Sequence, residues 1–113
     1  MVLDRQGGPN WFKNWCVAPV IVDDKNDEVY FTPLYYVMAH FSKFMRPGAV
    51  KIGCEINSKQ LVSTAVKNPD GSIAIAIFNP TETKQTIDIK LSNKNAIVSI
   101  DSKALQTIII KPN

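Results

Sequence analysis

The sequence is poor in the residues that build metal sites and nucleophilic centres. It contains one histidine, His40, and two cysteines among 113 residues. Cys16 and Cys54 lie far apart and form no CxxC pair. A Cys/His zinc site needs four such ligands and is therefore excluded, so we expect no metal. The spacing does not require a disulfide, and we favour two buried free thiols.

Long apolar runs and basic clusters are also missing. No stretch approaches the ~20 apolar residues of a membrane span, and "MVLDRQGGPN" lacks the basic-then-apolar pattern of a signal peptide. The 13 Lys and Arg residues are scattered, for a net charge of +3. This disfavours nucleic-acid and membrane-surface binding, because phosphate recognition needs converging positive charge. "VLDRQGG" resembles the end of a strand, so we expect Met1 to be an internal position of a longer protein.

What is present is enough apolar material for one core, since 45% of the residues are hydrophobic and only 20% are charged. A β-branched run at 18–23, the turn "DKNDE" and a returning strand at 29–32 predict a hairpin. Thr32 as N-cap and Pro33 at the first position predict a helix over 32–45, which "RPG" ends. Its apolar stripe consists of Leu34, Val37, Met38, Phe41, Phe44 and Met45.

After Gly48 short strands alternate with turns. Strands are predicted at 49–56, 60–67, 72–79, 84–91, 95–100 and 104–110. "TIDIKLS" alternates as a half-buried antiparallel strand does, whereas "SIAIAIF" is apolar on both faces and is expected to be central. The predicted fold is mainly β. It is an antiparallel β-sandwich over 48–113, preceded over 1–47 by a loop, a short hairpin and one α-helix.

No complete active site emerges from the residue types alone, and no cofactor is expected. The turn that holds Asp23, Asp24, Asp27 and Glu28 lacks EF-hand spacing, so a solvated turn is favoured over a Ca²⁺ site. His40 lies on the helix without a GxSxG nucleophile motif, which favours a hydrogen-bonded interface residue over a general base.

The loop "GGPNWFKNW" at 7–15 is the exception. Trp11 and Trp15 could stack on sugar faces while Asn10 and Asn14 bond hydroxyls, which would make a carbohydrate subsite. Alternatively, Trp11, Phe12 and Trp15 fill a gap between the sandwich and the helix. Residue chemistry alone leaves both interpretations open.

Two stretches, "GGPNWFKNWCVAPVIVD" and "YFTPLYYVMAHFSKFMRPGAVKIG", resemble the C-terminal region of glycoside hydrolase family 30, the glucosylceramidase-like enzymes. The family pattern is a GGPN loop, an Asn–aromatic pair, a "PIIVD"-like strand and a helix containing "GHFSKFI". This chain has Ala39 where family members often have Gly. The resemblance is specific over residues 5–48 and looser in the later strands.

The resemblance implies a retaining β-glycosidase with a (β/α)8 barrel and a β-sandwich side domain. Two glutamates at the ends of the fourth and seventh barrel strands act as nucleophile and acid/base, about 5 Å apart. The match starts at the end of the eighth strand, so both glutamates would lie upstream, and none of the ten acidic residues here replaces them. Residues 1–47 would be the strand-8 tail, loop, hairpin and helix 8. Residues 48–113 would be the side domain, which in the family also uses N-terminal strands.

The loop after a barrel strand borders the active site. The resemblance therefore implies that Trp11, Asn14 and Trp15 contact substrate at the rim of the pocket. Implied partners are a β-glycoside and the missing barrel. In an isolated fragment, the helix stripe would instead contact a second copy or fold back on its own sandwich. Family members act on glucosylceramide, a sphingolipid, or on β-1,6-glucan, xylan or other β-glycosides. The resemblance is compatible with a secreted or periplasmic location of the intact protein. The alternative is a stand-alone carbohydrate-binding or structural β-sandwich module.

Overall fold

The computed structural model describes residues 1–9, 12–13, 15–92 and 94–112. The chain divides into two compact units, Met1–Phe41 and Ser42–Asn113. The first contains strands β1 (Val2–Asp4), β2 (Val20–Asp23) and β3 (Glu28–Phe31) and most of helix α1 (Pro33–Phe44). The second contains β4 (Val50–Ile52), β5 (Val62–Lys67), β6 (Ile73–Asn79), β7 (Gln85–Leu91), β8 (Lys94–Ile100) and β9 (Ala104–Ile110).

The first unit is a three-stranded sheet in the order β1-β2-β3, followed by the helix. β1 runs parallel to β2, and β2 and β3 form the predicted hairpin. Thr32 precedes the helix as predicted, and its hydroxyl donates to the carbonyl oxygen of Ala18 at 2.9 Å. This bond ties the start of α1 to the residues before β2. Within the described part of this unit, Ala18 is the one buried hydrophobic side chain, so the unit has almost no core of its own.

The second unit is an antiparallel β-sandwich, as the strand spacing predicted. One sheet has the order β4-β5-β6-β9, and the other consists of β7 and β8. β6 is central in its sheet, which confirms the prediction from its two apolar faces. The core between the sheets is formed by Leu61, Ala65, Ile75, Ile77 and Ile100.

Turn chemistry explains where these strands end. Asn68 directly follows β5, and Asn79 is the last residue of β6. Each of them precedes a proline. In the β5–β6 turn, the Gly71 amide donates to the carbonyl of Asn68 at 2.9 Å, and Gly71 has φ +82°. That conformation costs glycine little. β4 is shorter than the predicted strand 49–56, because it stops before Gly53.

No helix among the described residues is long and apolar enough to cross a membrane. α1 spans 12 residues. None of its side chains is buried, and Leu34, Val37 and Phe41 of the predicted apolar stripe are exposed. Phe44 and Met45 of the stripe are half-buried. The uncovered apolar face therefore consists of Leu34, Val37, Met38 and Phe41.

Candidate functional site

The candidate substrate-contacting residues lie on the segment 5–19 that connects β1 to β2, which we call the β1–β2 loop. Trp11 and Asn14 lie outside the described residues. Trp15 is described, and 61% of its surface is exposed. Phe12, which one interpretation made a packing residue, is 93% exposed in this chain. An indole that is open to solvent is free to stack on a ligand.

A buried carboxylate secures the strand that follows this loop. The side chain of Asp23, at the end of β2, is fully buried and bonds the Arg5 guanidinium at 2.9 Å and the Asn26 side-chain amide at 2.7 Å. The backbone amides of Lys25 and Asn26 also donate to it. The bond from Asn26, the two amides and the Arg5 charge hold the pKa of Asp23 below its ordinary value, although burial opposes the shift.

Sequence reasoning misjudged this aspartate. It grouped Asp23 with Asp24, Asp27 and Glu28 as a solvated acidic turn, but only the other three are exposed. The nearby signal was the Asp-x-x-Asn spacing, which lets an aspartate bond its own turn. Arg5, the distant partner, had no local signature. In the described parts of the chain, no three His, Cys, Asp or Glu side chains are grouped so that they could hold a metal ion.

Cys16 and Cys54 are not joined by a disulfide, and both are exposed, so the prediction of buried thiols is wrong. The Cys54 thiol lies 3.4 Å from the Ser63 hydroxyl. Apolar surroundings were expected from the usual behaviour of free cysteine. β4 ends before Cys54 is reached, and this leaves the residue on an irregular segment. His40 lies on α1, where it is half-buried.

A cleft of about 600 Å³ opens between the two sheets of the second unit. Its lining includes Ile75 and Ile77 of β6, Ile87 and Ile89 of β7, and Cys54. The alternation of "TIDIKLS" is present in β7, yet the inward Ile87 and Ile89 are only half-buried. The two-stranded sheet therefore leaves part of the apolar surface of the four-stranded sheet without a covering layer.

A glycosidase acid needs a carboxyl group whose pKa is raised, so that it carries a proton near neutral pH. The pKa values of Asp23 and Asp70 are both lowered from the ordinary value. The pKa of Asp23 is lowered for the reasons above. The pKa of Asp70 is lowered because the Ser72 hydroxyl and the Ser72 amide donate to it at 2.6 and 2.9 Å. Both groups are structural acceptors in turns, and neither has the protonation behaviour of a general acid.

Comparison with known protein families identifies both parts of the chain. Residues 48–108 match the glycosyl hydrolase family 30 β-sandwich domain, and residues 1–45 match the TIM-barrel domain of the same family. The chain belongs to glycosyl hydrolase family 30.

Comparison with individual proteins agrees with this family assignment. The chain is 34% identical over 119 residues to putative glucosylceramidase 1 of Caenorhabditis elegans. This alignment covers 98% of this chain and 23% of that protein. The chain is 36% identical over 80 residues to the lysosomal acid glucosylceramidase of Mus musculus. This alignment covers 70% of this chain and 16% of that protein. The chain thus spans about a fifth of these relatives. The structure of SrfJ from Salmonella typhimurium shares the fold, with a TM-score of 0.93 and 24% identity over 99% of this chain and 25% of that one. The comparisons support the family 30 interpretation. They give no support to a stand-alone binding module.

Proposed function

We propose that this chain is the C-terminal, non-catalytic portion of a family 30 glycoside hydrolase that cleaves β-glycosidic bonds with retention. The observation that carries the proposal is the consecutive match of one short chain to the barrel model over 1–45 and to the sandwich model over 48–108. Residues 1–47 would complete the barrel, and residues 48–113 would form the side domain. The glucosylceramidase names of the relatives favour a β-glucosidic substrate.

In the intact enzyme, the β1–β2 loop would border the pocket, as loops after barrel strands do. Trp15, with Trp11 and Asn14, would contact the sugar or its aglycone. In this chain the Trp15 indole is 61% exposed and so is accessible to a ligand, and this accessibility supports the proposed contact.

The missing barrel region of the same protein would be the main partner of this chain. Two uncovered apolar surfaces support an additional partner segment: the exposed stripe of α1, and the cleft beside β7. A further strand on β7 would satisfy the unpaired edge of the two-stranded sheet and cover the apolar cleft.

The catalytic part of the proposal is tested by comparing this chain with the product of the longer reading frame that contains it. We expect the purified 113-residue chain to leave an aryl β-glucoside intact and the longer protein to hydrolyse it. In the longer protein, Trp15→Ala should raise KM by about two- to tenfold, since loss of a stacking side chain removes about 0.5–1.5 kcal/mol of binding.

Lys25→Ala, at an exposed position on the β2–β3 turn, is the matched control and should leave KM unchanged. Turnover by the short chain above that of a mock purification would refute the non-catalytic assignment. An unchanged KM in the Trp15 variant would refute only the rim contact.

In the isolated chain, we expect the uncovered stripe of α1 to drive self-association, because exposed apolar patches seek a partner. Light scattering across a concentration series should report a mass above that of one chain. Phe41→Asp should lower this mass, whereas Ser42→Asp, at the exposed next position, should not. A monomeric mass at every concentration would contradict the expectation.

A further inference from the structure

Gly7 is the point at which the two ends of the β1–β2 loop touch. It has φ +81°, and a Cβ at this position would lie 2.6 Å from the carbonyl oxygen and 2.8 Å from the amide nitrogen of Cys16. Both atoms belong to the backbone and cannot rotate away as a side chain could. Only glycine satisfies the positive φ and the close approach together. The segment between Gly7 and Cys16 is therefore closed at its base by backbone contact.

Asp4 secures the first end of this closure. Its carboxylate accepts hydrogen bonds from the amides of Gln6 at 2.9 Å and Gly8 at 2.8 Å. Its backbone amide donates to the Gly8 carbonyl at 2.8 Å, and its carbonyl accepts from the Gly7 amide at 3.0 Å. Four bonds thus fix residues 6–8 on the last residue of β1, which presents Gly7 to Cys16.

The second end is secured by different contacts. Ala18, two residues after Cys16, is buried, and its carbonyl accepts the Thr32 hydroxyl. Beyond it, the ion pair between Asp23 and Arg5 joins the end of β2 to the residue that follows β1. Both ends of the loop are fixed, while Trp15, beside Cys16, has most of its surface in solvent.

We propose that Gly7, supported by the Asp4 turn, is the positioning residue that orients Trp15. The described aromatic side chains of the loop, Phe12 and Trp15, are 93% and 61% exposed, so their packing against the rest of the chain is limited. The direction of Trp15 is therefore set by the backbone contact at Cys16, which is the adjacent residue. That this orientation serves substrate binding depends on the proposed function; the positioning itself does not.

The test uses the only two tryptophans of the chain, Trp11 and Trp15. In a Trp11→Phe background, the fluorescence anisotropy and acrylamide quenching of the chain report Trp15 alone. We expect Gly7→Ala to lower the anisotropy and to change the quenching constant, because the base of the loop must open. The far-UV circular dichroism of the second unit should be unaffected.

Two other glycines are matched controls. Gly71→Ala places a side chain at φ +82° with only ordinary contacts to Pro112 at 3.6 Å, and Gly53→Ala has nothing within 4 Å. Neither should alter the Trp15 signals. A Gly7→Ala signal equal to that of the Gly71→Ala variant would overturn the proposal.

If Gly7→Ala disrupts the first unit as a whole, two substitutions of Asp4 test the positioning instead. Asp4→Asn keeps the Oδ1 acceptor that serves Gln6 and Gly8, whereas Asp4→Ala removes it. Lower anisotropy in the alanine variant, with recovery in the asparagine variant, supports positioning by this turn. Equal anisotropy in both variants and the parent overturns it. A failure of the longer protein to hydrolyse glycosides would leave these fluorescence results unchanged.

Discussion

Ile100→Ala should destabilise the second unit by about 3 kcal/mol, because it removes the largest fully buried side chain of the sandwich core. Ile100 ends β8 and packs with Leu61, Ala65, Ile75 and Ile77, so its loss leaves a void between the sheets. Single domains are stabilised by only about 5–15 kcal/mol, and a loss of this size is a large fraction of that total. The measurement is urea unfolding followed by far-UV circular dichroism, with the midpoint expected to fall.

Ile97→Ala is the matched control on the same strand. The side chain of Ile97 points away from the core and is 78% exposed. Both variants lose the β-branched side chain that favours a strand, so this contribution cancels in the comparison. We expect the control to change the free energy of unfolding by no more than about 1 kcal/mol. Equal effects of the two substitutions would show that Ile100 is not a core residue.

The elements that the sequence predicts well are those with a strong local pattern. Pro33 at the start and the three- and four-residue spacing of apolar side chains located α1 almost to the residue. The two apolar faces of "SIAIAIF" placed β6 at the centre of its sheet, because only a strand covered on both sides can carry them. In these segments, local preference and tertiary environment agree.

The features that sequence reasoning missed depend on partners that are distant in the chain. Asp23 looks like part of a solvated turn until Arg5 and the sheet enclose it. The exposure of Cys54 depends on the early end of β4, and the half-buried state of Ile87 and Ile89 depends on the cleft. None of these follows from a window of neighbouring residues, since burial is decided by which elements pack together.

The candidate site shows the same division. The composition of "GGPNWFKNW", with two tryptophans in nine residues, is what makes this loop the candidate site in the sequence. It could not identify what holds the loop. Gly7 attracts attention in the sequence only as one of two adjacent glycines, and its role becomes visible once Cys16 is found against its backbone.

Asn79→Ala should destabilise the second unit by roughly 2–4 kcal/mol, because it removes the donor from one buried and two part-buried hydrogen bonds to backbone carbonyls. The Asn79 side chain is fully buried at the end of β6. Its Nδ2 donates to the carbonyls of Thr83 at 2.8 Å, Asp101 at 2.9 Å and Ile100 at 3.3 Å. Urea unfolding should show the loss, and Asn95→Ala, at an exposed position on β8, should be nearly neutral.

Substitution of Asn79 by aspartate distinguishes the contribution of the Oδ1 acceptor from that of the Nδ2 donor. Asn79→Asp keeps the Oδ1 that accepts bonds from the Thr81 amide at 3.0 Å and the Thr81 hydroxyl at 2.7 Å. It replaces the donor with a second oxygen, which would face three carbonyls and repel them. Since a buried unpaired charge costs more than a missing bond, the aspartate variant should be less stable than the alanine variant at pH 7. Unaltered stability of Asn79→Asp would mean that the three carbonyls do not depend on this donor.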